Sequence, residues 1–213
     1  MTYRELSKEI KADLYPDVVA AGSLLDALDK AFADLGSPLQ STTVNFIPFV
    51  RAEGNSRFCQ MYIAAQERLF LFDFWSSGVT YGKGSTSSLP DAAEAIHFWI
   101  VEQPNLVRMQ ERFSFFTADE QGLAHESGRA VEYQWERLRK RWARSDEKYP
   151  DAPSPLRLIE AAMQQPELRQ LFPFTSTNTL HFSRTTSYHS PMTARTQLQS
   201  ETAAFVSTVK ALG

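Results

Sequence analysis

A polar stretch at residues 76–88, SSGVTYGKGSTSS, is the part of the sequence closest to a chemical motif. Its glycines and Lys83 are the residue types of a phosphate-binding loop, in which backbone N–H groups and a lysine hold phosphate oxygens. The spacing does not fit, because only three residues separate Gly78 from Gly82, and Gly84 stands where a magnesium-binding Ser or Thr is needed. The predicted helix also begins several residues too late to present its N-terminus to a phosphate. The sequence favours a loop with a glycine-containing β-turn over a nucleotide site.

Asp73, just before this stretch, is an unusual carboxylate because it lies in a hydrophobic strand. A carboxylate in such a place must reach solvent or find hydrogen-bond partners. We predict that Asp73 caps the turn at residues 76–78; a functional carboxylate is the alternative. Asp73, Trp75, Tyr81 and Lys83 are the candidate binding residues of this region.

The histidines and the single cysteine form no recognisable catalytic or metal-binding pattern. None of the four histidines stands in a metal-ligand spacing, and no cysteine pair accompanies them. Cys59 has no evident histidine partner in sequence, and there is no G-x-S-x-G elbow. We expect Cys59 to be a small buried hydrophobe. The sequence therefore predicts no metal and no cofactor, and it favours a non-catalytic protein without excluding an enzyme.

Two groups of histidines have different interpretations. His97 lies beside aromatic residues on a predicted helix, and we expect it to be a hydrogen-bonded structural residue. His181 and His189 flank Arg184 across a predicted turn. These three could form a small cationic site, so His181 and Arg184 are further candidate binding residues.

Charge is unevenly distributed along the chain. The net charge is −3, so there is no general electrostatic case for nucleic acid binding. Residues 1–35 contain seven acids against four bases. Asp26 and Asp29 belong to this region and fall mostly on the polar side of a predicted helix. The two interpretations are a solvated helix face and an acidic surface for a basic partner.

A basic and aromatic cluster lies near the end of the longest predicted helix. It consists of Trp135, Arg137, Arg139, Lys140, Arg141, Trp142 and Arg144. One interpretation is a solvated face whose Lys and Arg stems cover the tryptophans. The alternative is RNA binding, which the acidic chain disfavours.

Hydrophobic periodicity, turn residues and capping residues predict an α+β fold with an antiparallel sheet. The predicted helices cover about 2–14, 17–35, 89–102, 117–148 (with a break at Gly122 or Gly128), 155–164 and 200–212. A short amphipathic segment is predicted at 106–112 and a proline-started turn at 166–172. The predicted strands are 43–51, 58–64, 69–75, 179–184 and 192–198, with a polar turn at 174–178. Residues 43–75 form the central meander. Its third strand has apolar residues on both faces, which predicts a central strand covered on both sides.

The whole chain, residues 1–213, is predicted to be one domain. The proline-rich segment 149–155 is the best candidate for a subdivision. A single cysteine excludes an intrachain disulfide, which fits a reducing, cytoplasmic setting. The sequence shows no signal peptide and no membrane-spanning stretch.

Two segments resemble a known family. RLFLFDFWSSGV, which continues to SLPDAAEAIHFW, and LRQLFPFTSTNTLHFSR are similar to a bacterial family of uncharacterised soluble proteins. That family is sometimes labelled a natural-product biosynthesis family. The resemblance covers roughly the middle third and residues 155–185, in the family's order, and fades after Arg184. The label implies where the genes of some family members lie, and it assigns no catalytic residue to this sequence.

The leading functional hypothesis is a non-catalytic bacterial immunity protein that neutralises a cognate toxin by direct binding. Its basis is an acidic, aromatic-rich chain without a catalytic constellation, since charge complementarity speeds association and aromatic residues supply binding energy. The alternative is an enzyme or small-molecule-binding accessory protein of a biosynthetic pathway. That alternative requires an aromatic-lined cavity of a few hundred Å³, with Asp73, Arg184 or a histidine inside.

Overall fold

A six-stranded antiparallel sheet organises the chain. The computed structural model describes residues 11–44, 47–51, 56–148, 156–176 and 179–186. The strands pair in chain order, each with the next. They are β1 (Ser41–Val44), β2 (Ile47–Arg51), β3 (Arg57–Ile63), β4 (Phe70–Ser76), β5 (Val79–Thr86) and β6 (Phe116–Ala118). A separate antiparallel hairpin consists of β7 (Phe172–Ser176) and β8 (Thr179–Ser183).

Helices precede, interrupt and follow the sheet, so the predicted α+β class is confirmed. They are α1 (Pro16–Ala21), α2 (Leu24–Asp34), α3 (Leu89–His97), a π-helical turn (Phe98–Glu102), α4 (Leu106–Arg112), α5 (Glu120–Glu126), α6 (Ala130–Lys148), α7 (Leu156–Met163) and α8 (Pro166–Arg169).

The main hydrophobic core lies on one face of the sheet. Phe70, Phe72 and Phe74 alternate along β4 and are buried there together with Cys59 and Met61 of β3. Residues of α1 to α4 and of the π-helical turn complete this core. Each buried phenylalanine contributes roughly 2–3 kcal/mol of transfer free energy. Burial raises the pKa of the Cys59 thiol well above its usual value, so the expectation of an inert, buried cysteine is confirmed.

In the part of the chain that the structure describes, the other face of β4 is partly exposed, so the prediction that both faces are covered was wrong. Leu71 is 37% exposed, and Asp73 and Trp75 are half-buried. An antiparallel sheet can have one face packed on helices and the other in contact with solvent. Here Phe70, Phe72 and Phe74 lie on the face that packs against the helices. The second row of apolar residues therefore meets solvent.

Residues 76–88 do not form the predicted loop, because β5 occupies most of that range. Gly84 lies opposite Phe72, and Gly82 lies opposite Phe74. A Cβ at Gly84 would overlap the Phe72 ring, and one at Gly82 would overlap Phe116. Gly82 and Gly84 are required for close packing of the strands rather than for a turn. The high glycine content of residues 76–88 therefore led to the prediction of a loop where the chain forms a strand.

Several boundaries also differ from the prediction. The range 43–51 contains two strands, β1 and β2, and Pro48 lies opposite Thr43. The range 17–35 is divided at Gly22, whose φ of 96° ends α1, before Ser23 caps α2. In the range 174–178, predicted as a turn, residues 174–176 belong to β7, and residues 177 and 178 lie outside the described residues.

Other expectations agree with the structure. The break expected within 117–148 occurs at Gly128, which has a φ of 71° between α5 and α6. Asp119 caps α5 by accepting a hydrogen bond from the Gln121 N–H at 2.8 Å. The predicted elements at 192–198 and 200–212, most of 2–14, and the segment 149–155 lie outside the described residues.

A second, smaller hydrophobic cluster follows the main core. It brings Trp135 and Leu138 of α6 against Ile159 and Ala162 of α7, with β8 residues packed beside them. The indole N–H of Trp135 donates to the Arg169 carbonyl at 3.1 Å. The long helix α6 therefore serves as the scaffold for α7, α8 and the β7–β8 hairpin.

Candidate functional site

The open sheet face presents three rows of residues that lie opposite one another on adjacent strands. Phe58 lies opposite Trp75, and Gln60 lies opposite Asp73. The third row pairs Tyr62 with Leu71. Because directly opposed residues share a face of a sheet, these side chains form one surface. We call it the sheet patch and define it as Phe58, Tyr62, Leu71, Asp73, Trp75 and Lys83.

Aromatic rings form one side of the sheet patch. The rings of Phe58 and Trp75 are stacked, with centroids 5.7 Å apart and planes at 4°. Tyr62 lies four positions after Phe58 on β3 and donates a hydrogen bond to the Gln60 side chain at 3.3 Å. Partly exposed, rigid aromatic rings of this kind are typical of protein interfaces.

Asp73 and Lys83 occupy the middle of the sheet patch. They lie opposite each other on β4 and β5, with 3.8 Å between Lys83 Nζ and Asp73 Oδ1. The Lys83 side chain is 67% exposed and the Asp73 side chain 27%. Asp73 therefore lies mid-strand, three residues before the end of β4, and the prediction that it caps the turn at 76–78 was wrong. Because β4 continues to Ser76, the turn begins three residues after Asp73.

Trp75 has a second notable feature. Its indole Nε1 is shielded from solvent and has no hydrogen-bond partner among the described residues. Its backbone carbonyl accepts a hydrogen bond from the Trp99 indole at 3.2 Å. The carbonyl thus links the sheet to the π-helical turn, whereas the side chain belongs to the open face.

Tyr81 lies on the opposite side of the sheet from Lys83. A β-bulge in β5 pairs Trp75 with Thr80 and Phe74 with Gly82, so Tyr81 is the extra residue. Its ring packs against the buried Trp99, at a centroid distance of 5.5 Å. Bulges re-aim side chains in this way. The structure therefore brings Asp73, Trp75 and Lys83 together and separates Tyr81 from them.

Sequence reasoning missed a polar network around Arg57 at the start of β3. Arg57 donates to the carbonyl oxygens of Trp99 (3.2 Å) and Pro104 (2.8 Å) and lies 3.9 Å from the centre of the Trp99 ring. Burial is the main cause that lowers its pKa. Both carboxylate oxygens of Glu126 accept from the Leu106 N–H, at 3.0 and 3.1 Å. These contacts fasten the π-helical turn and the start of α4, so the network is structural.

His125 is a half-buried histidine between the main core and the β7–β8 hairpin. Its ring lies 6.2 Å from that of Tyr81 and 6.3 Å from that of Phe172. Its Nε2 is shielded and has no hydrogen-bond partner within the described chain. Burial lowers the pKa of His125, because the charged form loses hydration there.

Asp26 and Asp29 have structural roles. Asp26 pairs with Ser23 in the cap of α2, and Asp29 accepts a hydrogen bond from the Ser41 N–H at 2.7 Å, which ties α2 to β1. A third acid, Asp17, is neutralised by Arg68 through hydrogen bonds of 2.7 and 2.8 Å that lower the Asp17 pKa. These contacts favour the interpretation as a structural helix face over a dedicated acidic docking surface.

The remaining histidine candidates do not join the sheet patch. His181 stacks on Phe174 within the β7–β8 hairpin, at a centroid distance of 5.1 Å. Arg184 follows β8 and is exposed, and His189 lies outside the described residues. The Nδ1 atom of His97 is 2.8 Å from the Ser37 hydroxyl, so the expected structural role of His97 is confirmed.

Other kinds of site find little support in the part of the chain that is described. It contains no cluster of three His, Cys, Asp or Glu residues placed to hold a metal ion. No helix in it has the length and apolar character needed to cross a membrane. A groove of about 450 Å³ lies between α6 and α7 and is lined mainly by polar residues: Glu136, Arg139, Glu160, Ala161, Met163 and Gln164.

Comparison with known proteins adds one family match. Residues 129–210 match the model of a family of unknown function (DUF6193). The matched range begins one residue before α6, so it includes the described helices and strands of the second hydrophobic cluster. No curated protein and no solved structure matches the chain. The chain is thus similar to an uncharacterised family over its C-terminal part, and the sheet patch lies outside that part.

Proposed function

We propose that this protein is a non-catalytic binding protein whose sheet patch docks a partner protein. The observation that carries the proposal is the open face of β3, β4 and β5, where the stacked Phe58 and Trp75 flank the Asp73–Lys83 pair. Aromatic residues that keep part of their surface in solvent are enriched in binding hot spots. A charged pair at the centre of such a patch supplies register and specificity.

The partner that we propose is a cognate protein toxin, which would make this chain a bacterial immunity protein. The net charge of −3 supports a basic partner, because charge complementarity raises association rates. A bound immunity protein needs no chemistry of its own, only a rigid surface. An interior strand packed on three buried phenylalanines supplies that rigidity.

The competing function, an enzyme or a small-molecule accessory protein, draws less support from the geometry. Asp73 and Lys83 lie on an open surface rather than in a cavity, and His181 and Arg184 lie in a different part of the fold. The groove between α6 and α7 is lined by polar side chains and a methionine, without an aromatic ring. Drug-sized ligands normally need a concave, largely apolar site.

The test uses a matched pair of leucine variants and, as the binding partner, any toxin-like protein that a neighbouring gene encodes. Leu71 on β4 is 37% exposed, and Leu158 on α7 is 55% exposed. Leu71→Asp places a charge in the sheet patch and should weaken binding by at least tenfold in calorimetry, whereas Leu158→Asp should not. In cells expressing the toxin, the wild-type protein and the Leu158 variant should restore growth. No binding by the wild-type protein, or equal loss in both variants, would refute the proposal.

A further inference from the structure

Four cations form a stripe along one side of α6. Arg137, Lys140, Arg141 and Arg144 stand at the i, i+3, i+4 and i+7 positions, which places them on one helix face, and all four are exposed. At 1.5 Å per residue the stripe is about 10 Å long. We call these four residues the α6 stripe.

Among the residues whose side chains are described, which in α6 end at Ser145, no carboxylate pairs with a cation of the α6 stripe. Arg137 donates to the side-chain oxygen of Gln121 at 2.9 Å, and Arg144 donates to the Lys140 carbonyl at 3.4 Å. Both acceptors are neutral, so the charges are not compensated. Arg139, on another side of α6, does pair with Glu136 at 2.9 Å. The α6 stripe therefore keeps its charge available to a partner.

The stability of α6 does not account for the stripe. Cations favour the helix dipole only within the last turn, and α6 continues past Arg144 to Lys148. Like charges at three- and four-residue spacing repel one another and destabilise a helix. An anionic partner would reverse this effect.

We propose that the α6 stripe docks an acidic helix of a partner protein, independently of the sheet patch. A helix with carboxylates at the same three- and four-residue spacing matches the stripe charge for charge. Arginine, which forms three of the four positions, suits paired hydrogen bonds to carboxylates.

Single-stranded nucleic acid fits the α6 stripe less well because, among the described residues, no fully exposed aromatic ring accompanies it. Trp135 is only 2% exposed and donates its indole N–H to the Arg169 carbonyl. Trp142 is half-buried and packs against the second hydrophobic cluster. Neither ring is placed to stack on a base, which is the main source of affinity for single strands.

The test measures binding of labelled probes to the full chain by fluorescence anisotropy. The probes are a helical peptide with glutamates at the i, i+3, i+4 and i+7 positions, a scrambled peptide of equal composition, and single-stranded oligouridine. We expect the patterned peptide to bind about tenfold more tightly than the scrambled one, since several exposed ion pairs add up. The double variant K140E/R141E should remove that preference, and the neutral variant K140Q/R141Q should reduce it.

The matched control is Arg157→Glu, which changes an exposed arginine on α7 to an acid. This variant should keep the preference for the patterned peptide. Equal binding of the two peptides, or a preference unchanged in K140E/R141E, would overturn the proposal. Tighter binding of oligouridine than of the patterned peptide would also overturn it, in favour of RNA. Circular dichroism of each variant establishes that α6 remains folded.

Discussion

Phe58 and Trp75 lie directly opposite each other on β3 and β4, and their rings stack with planes only 4° apart. The two residues are 17 positions apart in sequence, and the hairpin brings them together. The stack forms the aromatic side of the sheet patch, so its strength determines how rigidly that surface is presented.

We expect the Phe58–Trp75 stack to be measurable as a coupling free energy. In a double-mutant cycle of Phe58→Ala and Trp75→Ala, urea unfolding should give a coupling of about 0.5–1.5 kcal/mol, typical of aromatic pairs. A Phe58→Ala and Leu158→Ala cycle serves as the control and should be additive. Coupling below about 0.3 kcal/mol in the first cycle would show that the rings contribute independently.

Tyr15 should be a strong determinant of stability. It is 1% exposed, and its hydroxyl accepts from the Leu69 N–H at 2.9 Å and lies 2.8 Å from the Ala64 carbonyl oxygen, to which it can donate. Tyr15→Phe leaves these backbone groups without a partner, which should cost about 1–3 kcal/mol in the free energy of unfolding. Tyr62→Phe removes a hydroxyl on the open face and should change that free energy by less than about 0.5 kcal/mol. Similar effects in both variants would contradict this assignment.

Gly122 tests whether close packing outweighs helix propensity. An alanine in α5 gains about 1 kcal/mol over glycine from propensity alone. A Cβ at Gly122, however, would stand 2.6 Å from the Cα of Tyr81 and 2.8 Å from its carbonyl oxygen. Since backbone cannot give way cheaply, we expect Gly122→Ala to lower the free energy of unfolding by about 1–2 kcal/mol.

The control for Gly122 is Leu123→Ala at the next, exposed position of α5, which should change stability by less than about 0.5 kcal/mol. Thermal unfolding of the two variants provides the comparison. A stabilised Gly122→Ala protein would mean that α5 can move away from β5.

His125 should make stability depend on pH. Burial lowers its pKa in the folded protein, so the unfolded chain binds more protons between the two pKa values. The stabilisation is complete above the unfolded pKa of about 6.5 and is lost as pH falls through the lower folded value. His125→Phe keeps an aromatic ring between Tyr81 and Phe172 and should flatten this dependence.

The measurement for His125 is urea unfolding at about pH 5.5 and 7.5. The wild-type protein should lose more stability between these conditions than the His125→Phe variant. His181→Phe, in the β7–β8 hairpin, is the comparison, because it makes the same substitution at a histidine outside this contact. An equal loss in the wild type and His125→Phe would rule out the histidine as the source.

About half of the sheet patch could be predicted from the sequence. Asp73, Trp75 and Lys83 were candidates because a carboxylate, an indole and a lysine stood at the end of a hydrophobic run. Phe58 and Tyr62 were not, because their place on the open face depends on which row of β3 packs against the helices. The prediction grouped Tyr81 with Asp73, Trp75 and Lys83, but a β-bulge in β5 places the Tyr81 ring on the core side of the sheet.

The sequence by itself determined the α+β class, the start of the helix at about residue 89, a break at Gly122 or Gly128, and the alternation of phenylalanines along β4. These follow from local properties, namely side-chain capping, backbone freedom and period-two hydrophobicity. Only the tertiary structure decided that a glycine-rich stretch is strand β5, because Gly84 makes room for Phe72 across the pair. It also decided that the second apolar row of β4 is exposed, since that depends on where the helices pack and not on the strand's own residues.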